Sequence, residues 1–314
     1  MMKMLMIIMK CLKLEILLTM CLVLSAECLG FTNAARNCCC RNRSYRNAIH
    51  GRLGRRRMFV HRVLDGHTDA IDDIDSDLDL PVMVQNFNRL SVEAVKSILK
   101  VVYEGKPYSY FAALETIARV PYFSYTSVLH LYETLNWLRR KEYIQIHFAE
   151  SWNELHHLLI MEELGGNKAF ADRFVAQHIA FFYYWIVVAL YIISPAVAYD
   201  LNKHVENHAF DTYREYVQSN EAELKLLPAP RVAVEYYQSG DLHMFDAFQY
   251  HMSFPSRLMT DTAGEERPIR RPTVETLYDV FCNIRDDEAE HARTMKILQR
   301  DVCLRSRGRI DTEE

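Results

Sequence analysis

The chain has 314 residues, half of them hydrophobic and a quarter charged, with a formal net charge of −4. That length can bury a sizeable core in one large domain or two. Ten glycines and nine prolines argue for long helices over many short strands, and no basic, aromatic-interleaved stripe runs through the body of the chain, which sets a nucleic-acid partner aside.

Residues 1–30 read as a signal sequence. Lys3, Lys10 and Lys13 give a positive start, residues 16–26 are an apolar run too short to span a bilayer, and Ser25, Ala26 and Gly30 are small. Residues 31–63 contain nine arginines and no acidic residue. An Arg-rich, acid-poor stretch behind a signal reads as a transit peptide, and the two together read as the two-part address of plastid proteins in complex algae. Gly30-Phe31 fits the junction. Seven aspartates then crowd residues 65–79, so 64–84 is expected to be a solvated acidic linker. Six of eight cysteines fall in the first forty residues, which leaves too few for a disulfide scaffold in the domain expected over 85–302, with a tail at 303–314.

From Leu80 onward the pattern is helical. An amphipathic segment is expected over 91–104. A second helix is expected over 110–136, with Glu115 near its start and Pro121 as a kink. A third over 141–164 ends at Gly165-Gly166-Asn167, a helix C-cap signal. A fourth over 171–193 is apolar nearly all round. Residues 174–199 lack Asp, Glu, Lys and Arg, long enough to cross a bilayer, to fill a core or to lie in one leaflet. Ser194-Pro195 opens a fifth helix, with Ser194 as cap and Pro195 at its first position, running to about Ser219. Residues 220–271 are broken by Pro228, Pro230 and Pro255. Pro272 is expected to open a last helix to about Arg300.

Two of these helices carry Glu-x-x-His: Glu154 with His157, and Glu288 with His291. Residues three apart share a helix face. Burying a carboxylate and an imidazole together is costly unless something satisfies both. His156 is the other imidazole at the first position, and the spacing selects His157. Two further helices supply Glu115 and Glu206. Two lone glutamates and two Glu-x-x-His pairs are the donor set of di-iron carboxylate bundles. Mixed oxygen and nitrogen ligation suits iron that binds oxygen and suits structural zinc poorly. The expected fold is therefore all-α: a four-helix, ferritin-like di-iron bundle with additional amphipathic membrane-attachment helices.

The stretches Leu114-Glu115-Thr116-Ile117-Ala118-Arg119-Val120-Pro121, Asn153-Glu154-Leu155-His156-His157 within 149–167, and Asp286-Asp287-Glu288-Ala289-Glu290-His291 resemble the alternative oxidase family over about residues 85–300, and its plastid branch most closely. Mitochondrial members usually carry three glutamates where this chain has Glu206-Asn207-His208. The resemblance implies a membrane-bound, monotopic, non-haem di-iron quinol oxidase with two iron ions, plastoquinol and dioxygen as substrates, and a homodimer. It implies iron ligands Glu115, Glu154, His157, Glu206, Glu288 and His291, with Glu154 and Glu288 bridging, and Tyr213 as a catalytic phenol. It places Leu114, Thr212 and Tyr110 at the quinol pocket, and Asp287 and Asn153 as side chains that orient a ligand. Tyr110 stands where the family commonly has an arginine. The implied location is the plastid thylakoid membrane, ahead of the mitochondrial inner membrane, and the implied attachment is in-plane through 91–104 and 171–193. A di-iron quinone-precursor hydroxylase or a ferritin-like iron-binding membrane protein would use the same ligands.

Overall fold

A computed structural model describes residues 80–239, 272 and 274–306. Those up to Arg300 belong to one compact unit. The signal, the transit segment and most of the acidic linker lie outside the described residues, as does 307–314. In chain order the helices are α1 (Val82–Val102), α2 (Pro107–Ala118), α3 (Val120–Thr134), α4 (Lys141–Glu163), α5 (Phe170–Ile193), α6 (Pro195–Leu224), the short α7 (Arg231–Val234) and α8 (Leu277–Ser306). Between α7 and α8 a π-turn covers Glu235–Ser239. Among the described residues there is no strand, and the expected all-α bundle is what forms, with α2, α4, α6 and α8 carrying the candidate metal ligands.

Several boundaries differ from the sequence reading. The first helix starts at Val82, inside the expected linker and nine residues ahead of the expected 91. The expected 110–136 helix is two helices. Pro121 has no N–H and its ring would clash with the carbonyl four residues back, so the chain turns at Arg119 and Pro121 occupies the first turn of α3. In α6 the regular backbone is interrupted at Asn220 (φ −124°, ψ 17°), one residue past the expected end, before a last turn to Leu224. The final helix opens at Leu277 rather than Pro272 because a capping box forms there. Thr276 Oγ1 accepts from the Asp279 amide at 3.3 Å, and Asp279 Oδ2 accepts from the Thr276 amide at 2.9 Å. It also runs on to Ser306, past the expected Arg300 and into the expected tail.

Two caps behave as the sequence implies. Ser194 Oγ accepts from the Val197 amide, with Pro195 at the first helical position of α6. Gly165 (φ +92°) ends α4. Its amide donates to Glu162 O and that of Gly166 to Met161 O, both at 2.9 Å, a Schellman motif. Gly166 is required for a second reason: a Cβ there would lie 2.4 Å from Tyr108 O and 2.8 Å from the Ala112 Cβ. The motif thereby brings the end of α4 against α2.

The core between α2, α6 and α8 is aromatic. Phe111 stacks on Tyr213 at 4.5 Å and meets Phe281 edge-on at 5.3 Å, contacts worth about 0.5–1.5 kcal/mol each beyond their buried area. Helix α1 is tied to α6 by Asn88, whose amide donates to Asp200 Oδ2 at 2.8 Å. Helix α5 is long and apolar enough to cross a membrane by length and composition, yet only 28% of its most apolar stretch is buried. It turns Ala176, Ile179, Val187 and Leu190 inward and leaves Phe181, Trp185 and Ile192 exposed, so it is not a core helix buried all round.

Candidate metal centre

Glu115, Glu154, His157, Glu206, Glu288 and His291 converge in the bundle interior, each with 1% or less of its surface exposed. Their donor atoms form two groups, one of Glu115, Glu154, His157 and Glu288, the other of Glu154, Glu206, Glu288 and His291. Within each group the atoms lie within 4.8 Å of one another. Glu154 and Glu288 belong to both. Nδ1 of each imidazole points inward, at 3.1 Å from Glu288 Oε1 for His157 and 2.7 Å from Glu154 Oε1 for His291.

Glu115 Oε2, Glu206 Oε2, His157 Nδ1 and both oxygens of Glu154 and of Glu288 are buried and make no hydrogen bond of acceptable geometry. Groups of this kind cost several kcal/mol when buried alone. The strain shows in their acidities. Burial, and then the neighbouring carboxylates, push Glu115 and Glu206 well above the usual carboxylate range. Burial lowers His157 and His291, but the surrounding carboxylates outweigh it and hold both well above an ordinary imidazole. Burial likewise opposes ionisation of Glu288, and the two imidazoles beside it overcome that and hold it at about 2. Two divalent or trivalent cations would satisfy all these atoms at once. The donor set, four carboxylates and two imidazoles, fits a pair of iron ions.

The atoms around the cluster orient it. Asp287 Oδ2 lies 3.1 Å from Nε2 of His157, and also receives Asn153 Nδ2 at 3.1 Å and Tyr237 Oη at 2.9 Å. Asn153 Nδ2 reaches Tyr236 Oη at 2.8 Å. Tyr236 and Tyr237 sit on the π-turn, a feature frequent at functional sites. Glu163 secures that segment by accepting the Arg231 and Val232 amides, a carboxylate at a helix N-terminus. The Tyr213 hydroxyl donates to Glu115 Oε1, and the Tyr122 hydroxyl donates to Glu206 Oε1 at 2.7 Å. Burial, with the adjacent glutamate, raises both phenols well above their ordinary value, so both are donors.

The three residues expected at a quinol pocket lie on facing parts of α2 and α6. Tyr110 and Leu114 are one turn apart on α2. Tyr110 Oη is 3.4 Å from His208 Nε2, and Thr212 Oγ1 donates to His208 O at 2.9 Å. Burial pushes Tyr110 up to about 12 and His208 down to about 3, the latter helped by Lys96 and Lys100. The sequence reading gave no role to His208, Tyr122, Tyr236 or Tyr237. Nothing local marks them: they are reached only through partners on other helices.

The family model for alternative oxidase matches residues 79–300. The chain is 51% identical over 234 residues to ubiquinol oxidase 4, chloroplastic/chromoplastic, of Arabidopsis thaliana, covering 73% of this chain and 63% of that relative. It is 30% identical over 126 residues to a mitochondrial ubiquinol oxidase 2 of Glycine max, covering 40% of this chain and 38% of the relative. To a mitochondrial ubiquinol oxidase of Mangifera indica it is 26% identical over 179 residues, covering 57% and 46%. The chain thus spans less than two thirds of the length of these relatives, and the plastid relative is far more similar to it than the two mitochondrial ones. With the family model across all four helices that carry the candidate ligands and this identity to a plastid relative, the chain belongs to the alternative oxidase family, on its plastid branch.

Proposed function

We propose that this protein is a membrane-attached di-iron quinol oxidase that oxidises plastoquinol and reduces dioxygen to water, with Glu115, Glu154, His157, Glu206, Glu288 and His291 as the iron ligands. The observation that carries the reading is the sharing of Glu154 and Glu288 between two buried donor groups. Two carboxylates common to both groups are what a bridged metal pair needs. Iron, when bound, supplies the one-electron chemistry with oxygen that side chains lack.

The chain's own groups account for the rest. Two quinols release four electrons and four protons, and one dioxygen takes up both sets to give two waters. The buried ligands keep bulk water from the reacting atoms. Tyr213 holds a proton at Oη against Glu115 Oε1, close enough to be given up with an electron during oxygen reduction. Tyr110, Leu114 and Thr212 form the wall against which a quinol ring would lie, with Tyr110 in the place of the family arginine. Asp287 and Asn153 hold the His157 ring.

Attachment to one leaflet of the thylakoid membrane is supported by the exposed apolar faces of two helices. Val82, Met83, Leu90 and Val101 project from α1, and Phe181, Trp185 and Ile192 from α5. A plastid location is supported by the chloroplastic relative, and the two-part address proposed for residues 1–63 would deliver the chain there. Exposed Phe148 and Leu159 on α4 offer apolar surface for a homodimer.

The test is iron content and quinol-dependent, cyanide-insensitive oxygen uptake by the purified protein, with plastoquinol compared against ubiquinol. Two irons per chain, faster turnover of plastoquinol, and label from isotopic dioxygen appearing in water are expected. Iron-free active protein, label in an organic product, or undiminished uptake by Glu154→Ala would overturn the reading.

A further inference from the structure

The four carboxylates of the cluster are not equivalent, and the difference lies in which oxygens are already engaged. Glu154 and Glu288 leave both oxygens without a hydrogen bond. Glu115 and Glu206 each leave only Oε2 and give Oε1 to a buried phenol, Tyr213 in the first case and Tyr122 in the second. A carboxylate with two unused oxygens can bridge two cations. One with an oxygen accepting from a hydroxyl has a lone pair of that oxygen committed, which favours ligation through its other oxygen alone. The same partition appears independently in the two donor groups, where Glu154 and Glu288 occur twice and Glu115 and Glu206 once.

The two phenols are counterparts in role and differ in surroundings. Tyr213 stacks on Phe111, on the side where Tyr110 and Thr212 lie. Tyr122 has its ring 5.5 Å from that of His291 and 6.3 Å from that of His147. It is fully buried, and its hydroxyl makes the 2.7 Å contact to Glu206 across 84 positions of sequence.

We propose that Tyr122 is a positioning residue of the metal centre: by occupying Glu206 Oε1 it restricts that glutamate to one-oxygen ligation of the metal on the His291 side. A coordination position that a chelating Glu206 would fill is thereby kept open. Tyr213 imposes the same restriction on Glu115, so the paired phenols set the ligation mode of both terminal carboxylates. This inference rests on the di-iron reading above.

The experiment compares iron Mössbauer spectra and stepwise cobalt titrations of the wild type, Tyr122→Phe and Tyr125→Phe. Tyr125 is the control because it lies on the same helix, is equally buried, and gives its hydroxyl to Ala198 O at 2.9 Å instead of to a ligand. In Tyr122→Phe, Glu206 Oε1 is released. One iron environment is expected to change while the other holds, and one cobalt step is expected to shift in affinity by about 10- to 100-fold. Tyr125→Phe should leave both spectrum and titration as in the wild type. Identical spectra and affinities in Tyr122→Phe and wild type would overturn the role of Tyr122 and leave the di-iron reading standing. A wild type that binds fewer than two metals would remove the di-iron reading itself. Infrared difference spectra of the unaltered protein with and without iron, made with isotope-labelled glutamate, need no variant. One-oxygen and bridging carboxylates should both appear, and bridging or chelating signatures alone would overturn the proposal.

Discussion

Nε2 of His157 lies 3.1 Å from Oδ2 of Asp287, although 130 positions separate them in the chain. That contact fixes the ring so that Nδ1 faces Glu288 Oε1, also at 3.1 Å. Because Asn153 and Tyr237 donate to the same Asp287 oxygen, one carboxylate holds an imidazole, an amide and a phenol in place together. Asp287→Ala would remove the acceptor that three buried groups share and leave the ring able to turn. Its metal affinity is expected to fall about 10- to 100-fold with helix content retained, as read by cobalt titration followed by circular dichroism. Unchanged affinity would refute the orienting role.

Metal removal should destabilise the protein in a pH-dependent way. Glu115, Glu206, His157 and His291 are all raised in the metal-free cluster, so they retain protons that a cation must displace. Binding therefore releases protons, and affinity falls as pH falls. Calorimetry in buffers of different ionisation heat measures that release. Chelation should lower the thermal midpoint, since metal at a hundred times its Kd contributes about 2.7 kcal/mol. Proton uptake on binding would contradict this.

Helix α8 carries Glu288 and His291, and its start depends on the Thr276–Asp279 capping box. Burial acts to raise the Asp279 carboxyl, but the Thr276 and Glu275 amides outweigh it and lower its pKa. A depressed folded-state pKa means the stabilisation is present above the unfolded aspartate range and is lost as pH falls through the folded value. Thr276→Ala should cost about 1 kcal/mol in denaturant unfolding. Asp279→Asn should flatten the acid-side loss of stability.

At Gly166 an added Cβ would meet the Tyr108 carbonyl at 2.4 Å, which is backbone and cannot turn aside. Gly166→Ala should therefore push α4 away from α2 and cost about 1–3 kcal/mol. Because Glu115 and Glu154 sit on those two helices, iron content should fall with it. A variant of wild-type stability and full iron content would show that the close approach is dispensable.

The exposed face of α5 gives a prediction separate from the metal. Phe181 and Trp185 are 60% and 57% exposed. The double variant Phe181→Asp/Trp185→Asp should lose co-flotation with vesicles of plastid galactolipids while keeping its iron and thermal midpoint. Retained flotation would place the membrane contact elsewhere.

The helix order and the two Glu-x-x-His pairs were legible from sequence, because a three-residue spacing is itself a statement about one helix face. Ser194-Pro195 and Gly165-Gly166 were legible for the same reason, since capping is settled within a few residues. The split at Arg119 was half legible: Pro121 announced a disturbance, but whether a proline kinks a helix or starts a new one depends on where the second segment packs. The opening of α8 was misplaced because Pro272 is a strong local signal, while the box at Thr276 and Asp279 offers more hydrogen bonds.

The sequence by itself determined the donor types, their spacing and the helices that carry them, since these follow from local periodicity. Only the tertiary structure decided which oxygen faces which partner. The sharing of Glu154 and Glu288, the phenols on Glu115 and Glu206, and the Asp287 contact to His157 all join residues on different helices. Their geometry is set by interhelical packing, which no short window of sequence contains. Tyr122, one tyrosine among eighteen, becomes distinct only when Glu206 arrives from 84 positions away.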